Sequence, residues 1–110
     1  MKAFRVVLAA IFLTTLTYTI VVGGNHGLNF IPIFFGDILA MNWPGQFNVD
    51  FTFHIFLAAL WMAWRNNFSF SGYLLAALAF VGGIHVLVGY LFYTSYQVSD
   101  IKELLVGKAR

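Results

Sequence analysis

The sequence predicts an all-α membrane protein: three transmembrane helices plus a short amphipathic helix lying in the interface. Three observations predict it. Residues 72–97 read GYLLAALAFVGGIHVLVGYLFYTSYQ, with no Asp, Glu, Lys or Arg. At about 1.5 Å rise per residue, some twenty apolar residues cross the roughly 30 Å hydrocarbon core of a bilayer. Only 9% of the chain is charged, where soluble domains run near about 25%. Aromatics reach 19% and Phe alone holds 13 of 110 positions, more apolar surface than so short a soluble chain could bury.

The first span is residues 3–22. Lys2 and Arg5 precede the 17-residue run VVLAAIFLTTLTYTIVV, longer than the roughly 7–15 residues of a signal-peptide core. It therefore reads as an uncleaved anchor. Thr14, Thr15, Thr17 and Thr19 are tolerable there, because a Thr hydroxyl can bond a carbonyl one turn back. GGNHG at 23–27 is expected to break this helix.

Residues 28–42 form the interfacial helix. Ile31, Phe34, Phe35, Ile38 and Met41 fall on one side at helical spacing, with Asn29, Gly36 and Ala40 opposite. Some fifteen residues that include Asp37 are short for a span, so the Phe-rich face is expected to lie in lipid. If this segment also crossed, a four-span bundle would result. NWPGQ at 42–46 reads as a turn.

The second span is 47–64, with the intense core FTFHIFLAALWMAW, and the third is 73–96. In the tail, 97–110, Asp100 followed by Glu103 marks a helix start. The whole chain reads as one helical domain. Lys and Arg favour the cytoplasmic side, which places the N-terminus there. Three spans put Lys2, Arg5 and Arg65 inside against Lys102, Lys108 and Arg110 outside, a tie. They predict Asn66 inside, with Gly24 and the C-terminus outside. Trp43, Tyr90 and Tyr93 would anchor the outer interface, and Trp61 and Trp64 the inner one.

The stretch NWPGQFNVDF…LWMAWR…GYLLAALAF resembles a family of short bacterial inner-membrane proteins catalogued only as a domain of unknown function. The likeness covers about residues 10–95. It implies a three-span architecture in a bacterial inner membrane and supplies no activity.

Ionisable groups inside a bilayer are costly and mark function. Asp50 and His54 stand four apart and share one helix face, which Gln46 extends. His85 in the third span lies at a comparable depth. All three ionisable groups are expected to point into the bundle. The simplest reading is a structural hydrogen-bonded cluster. A proton- or small-solute-coupled carrier is the alternative, since His titrates near neutrality. Haem held by His54 and His85, or quinone contact, is a second alternative. Otherwise no cofactor and no metal site is expected. Ala59 with Ala63, Ala79 with Gly83, and Gly82 and Gly89 read as helix-packing positions.

Other chemistry is excluded by composition. With no cysteine, disulfides, thiolate metal sites and Cys nucleophiles are out. Six basic residues confined to the ends and one turn make no nucleic-acid surface. No phosphate loop, Ser/His/Asp set or carboxylate pair is present. The chain therefore reads as a non-enzymatic small membrane protein, in a homo-oligomer or a larger membrane complex.

Overall fold

The computed structural model describes residues 1–107, and Lys108 and Arg110 lie outside them. The described residues are helical: α1 is Lys2–His26, α2 Ile31–Leu39, α3 Trp43–Arg65, α4 Phe70–Gly82, α5 Ile84–Ser95 and α6 Ile101–Val106. Two of these, α1 and α3, are long and apolar enough to cross a membrane. At about 1.5 Å per residue they measure about 38 and 35 Å.

α1 runs past the expected break at GGNHG and ends only at Gly27, which adopts φ 83°. Glycine is the residue that takes this region without a Cβ clash. The Thr15 and Thr19 hydroxyls donate to Ile11 and Thr15 carbonyls at 2.8 and 2.7 Å. That is the back-bonding their place in an apolar helix requires.

α2 does not lie apart from the bundle. It folds back along the first turns of α3: Asn48 Nδ2 donates to the Phe34 carbonyl at 3.0 Å. Gly45 sits so close beneath the Asp37 carbonyl that a Cβ there would overlap it. NWPGQ is not a free turn either. Asn42 caps α3, accepting from the Gly45 N–H at 2.9 Å, and Pro44 occupies the first helical turn, where a missing N–H costs nothing.

The expected third span is not continuous. Gly83 takes φ 68° and ψ −141° and separates α4 from α5. The two helices form a hairpin. Asn66 packs its Cβ where a side chain on Gly72 would sit, and its Nδ2 donates to the Tyr90 hydroxyl at 3.0 Å. A straight helix would hold Gly72 and Tyr90 about 27 Å apart, too far for one Asn to reach both. α5 therefore runs back toward the end of α3. α4 packs on α3, α1 on α5, and α6 on the end of α5.

The core is small. It centres on Ala59, Met62 and Ala79, with Leu75, Val86 and Leu87 packed around them. Close approach of α3 and α4 depends on Gly72, whose missing Cβ would lie 3.3 Å from the Ala63 carbonyl.

Because the hairpin returns, one end of the molecule gathers the basic residues. Arg5 at the start of α1 bonds Ser95 at the end of α5. Arg65 at the end of α3 bonds Tyr90 and the α6 backbone. Lys2, Arg5, Arg65 and Lys102 thus share that end, where a continuous third span would have separated Lys102 from the rest. Tyr90 and Tyr93 likewise lie at the end that holds Trp61 and Trp64, not opposite them.

Candidate functional site

Asp50 and His54 project from the outer face of α3. Their side chains are 47% and 80% exposed. The expectation that they point into the bundle does not hold. Helical geometry gives the reason. The contacts with α4 and the core are made by Ile55, Ala59, Met62 and Ala63. Asp50, His54 and Leu57 recur three to four apart on the other side of the helix. Starting α3 at Trp43 also makes His54 its middle residue, eleven from either end.

The two side chains contact each other. His54 Nδ1 lies 2.6 Å from Asp50 Oδ1 and 2.9 Å from the Asp50 carbonyl. One ring nitrogen therefore donates to the acid one turn back, which leaves Nε2 facing outward. Gln46, Val49, Phe53 and Leu57 complete a shallow depression of about 360 Å³ around the pair. Gln46 extends the polar stripe as its spacing predicts.

His85 is elsewhere. It stands in the first turn of α5 against α1, with its ring edge-to-face with Phe12 at 5.5 Å. Its Nε2 is buried without a hydrogen-bond partner. His54 faces outward and His85 faces α1, so one chain does not present them as an axial pair. Among the described residues no group of three His, Asp or Glu converges on a metal-sized space.

The helix-packing positions divide. Ala59, Ala63 and Ala79 are buried at contacts. Gly83 is buried, and its missing Cβ would lie 3.3 Å from Phe51. Gly82 is exposed, and a side chain there would strike Val86 across the turn. Gly89 is not at a helix contact at all: no atom lies within 4 Å of where its Cβ would be. Among the aromatic anchors, Trp43 and Tyr93 are exposed. Trp61 and Tyr90 are instead half-buried against each other, their rings 6.0 Å apart.

Two arginine clusters escaped the sequence reading, which saw only their charge. Arg5 Nε donates to Ser95 Oγ at 2.9 Å, Nη2 donates to the Ser95 carbonyl at 2.8 Å, and the guanidinium stacks on Tyr96 at 3.7 Å. Arg65 donates to the Glu103 and Leu104 carbonyls and to the Tyr90 hydroxyl, and Trp61 Nε1 donates to the Leu105 carbonyl. The Leu104 and Leu105 carbonyls end α6, where acceptors lack intrahelical partners and a cation is favourable, while the Glu103 carbonyl also accepts from the Gly107 N–H at 2.8 Å. The chain matches no family model, no curated protein and no solved structure.

Proposed function

We propose that this chain is an integral membrane protein without catalytic activity, built to assemble with a second copy through the outer face of α3. The observation that carries the reading is the exposed Asp50–His54 pair at the centre of a helix long enough to span a bilayer. Exposure of so much apolar surface supports the membrane setting. Only 6% of the most apolar part of α1 is buried in the protein, whereas the core helix of a soluble fold is mostly enclosed. The long dimension, 47 Å, matches a bilayer with its headgroups, about 40–45 Å.

In that setting Asp50 and His54 would face hydrocarbon near the midplane. A charge there costs roughly 2.5–3.5 kcal/mol on insertion scales. A second copy removes that cost. An acid and a base one turn apart are self-complementary across a twofold axis, because each can reach the other residue in its neighbour. The flanking Phe53 and Leu57 supply apolar contact.

The bundle crosses twice, by α1 and α3, and the α4–α5 hairpin enters and leaves on the same side. Half-length helices of this kind are tolerated at membrane depth where they are packed against protein, as α3 packs the turn at Gly83. Lys2, Arg5, Arg65 and Lys102 then lie on one side, and the preference of basic residues assigns that side to the cytoplasm. The bacterial inner membrane suggested by the resemblance fits this arrangement. A carrier role would require Asp50 and His54 to line a path shared between copies, since both are exposed on the outer face of α3.

Single cysteines test the contact, because the native chain has none. Leu57→Cys lies on the proposed face and Leu78→Cys on the outside of α4, with similar exposure. Oxidation in membranes is expected to link the first variant into dimers and leave the second monomeric. Equal cross-linking of both would contradict the interface.

A further inference from the structure

A second surface combines an apolar groove with a cationic end. Between α1 and α5 runs an open groove of about 540 Å³, lined by Leu8, Phe12, Leu13, Val88, Gly89 and Phe92 among others. No helix of the described chain covers it. One end meets the basic face of the molecule. Arg5 and Lys2 lie on the same stripe of α1 as the groove lining, at helical spacing. Ser95 holds the Arg5 guanidinium through Nε and Nη2, which leaves the Nη1 hydrogens available. Ser95 is itself buried, and its hydroxyl donates to the Phe92 carbonyl at 2.7 Å, so the cation is held firmly in place.

We propose that this groove seats one acyl chain of an anionic phospholipid, whose phosphate lies on Arg5 and Lys2. The proposal rests on the membrane reading given above. Three features select this occupant. The groove is apolar along its length and cationic at one end, as a lipid is apolar with an anionic head. From Arg5 to Leu13 it descends about 12 Å, close to the roughly 15 Å depth of one hydrocarbon leaflet. And Arg5 has no carboxylate partner among the described residues. Asp100 Oδ1 accepts from the Glu103 N–H, and Glu103 Oε2 accepts from the Ser99 N–H, so both acids cap α6. Gly89 matters because any larger side chain there would stand in the groove.

Native mass spectrometry of the full chain in detergent tests this, with phosphatidylglycerol and phosphatidylcholine of identical acyl chains as probes. Wild type is expected to retain phosphatidylglycerol preferentially. Arg5→Gln should reduce that preference about five-fold, the worth of one basic residue at a charged membrane surface. Gly89→Leu should lower retention of both lipids with helix content unchanged, since open space receives the new side chain. Inorganic phosphate should leave the lipid-bound species intact. Equal retention of the two lipids by wild type overturns the proposal, as does an unaltered Gly89→Leu variant. Displacement by inorganic phosphate at equal concentration reveals a headgroup site without an acyl seat and overturns it too. Resistance of the wild type to alkaline carbonate extraction, measured in parallel, separates failure of this site from failure of the membrane reading.

Discussion

The Arg65 guanidinium donates to the Tyr90 hydroxyl at 3.0 Å, and that bond joins the end of α3 to the second arm of the α4–α5 hairpin. The bond is possible because the chain doubles back at Gly83. Under the proposed membrane reading sidedness follows, because the polypeptide after α5 then emerges on the side where α3 ended.

Labelling from one side tests this directly. Single cysteines at Ser71, Ser99 and Gly24 are probed in intact vesicles with a membrane-impermeant thiol reagent. Positions 71 and 99 should behave alike and position 24 oppositely. Gly24 has open space around its Cβ position, so the substitution is tolerable. If 99 and 24 label together, the third span is continuous and the hairpin is wrong.

The hairpin depends on one backbone conformation. Gly83 sits at φ 68° and ψ −141°, a region that L side chains rarely enter. Gly83→Ala should destabilise the protein by about 1–3 kcal/mol, more than Leu78→Ala, whose side chain is 58% exposed and makes little core contact. Thermal unfolding in detergent reads the difference. Equal midpoints would show that Gly83 is not under this constraint.

α6 is held by its carbonyl end. Removing the Arg65 fork should release it, since a hydrogen bond to a charged group contributes about 1.5–3 kcal/mol. Arg65→Gln is expected to make residues 99–107 sensitive to protease, and Arg65→Lys should rescue poorly, because an ammonium cannot reproduce the planar fork. Unchanged protease resistance in Arg65→Gln would assign the docking of α6 to Leu104 packing alone.

The long elements were legible in the sequence because apolar length alone marks them, as α1 and α3 show. Local caps were legible in part. Asp100 and Glu103 read correctly as a helix start, while Asn42 was hidden inside a Pro-Gly turn signal that the helix absorbed into its first turn. The hairpin was not legible. An uncharged run of over twenty residues looks continuous, and Gly82-Gly83 reads equally well as a packing face or a chain reversal. Contacts far apart in sequence, Asn66 with Tyr90 and Arg5 with Ser95, decide between them. The Asp50–His54 spacing correctly put both on one face, but periodicity does not say which neighbour covers that face. Here α4 takes the opposite side of α3, and the acid–base pair is left outward.

That outward pair makes assembly the central claim, and the mass of the purified protein tests it most directly. Light scattering of the detergent-solubilised chain, corrected for bound detergent, should give twice the 12.4 kDa chain mass. The double variant Asp50→Leu, His54→Leu should fall to the mass of one chain, because the polar complementarity is gone and the new side chains are at home in hydrocarbon. A monomeric wild type, or a double variant that still dimerises, would contradict the account.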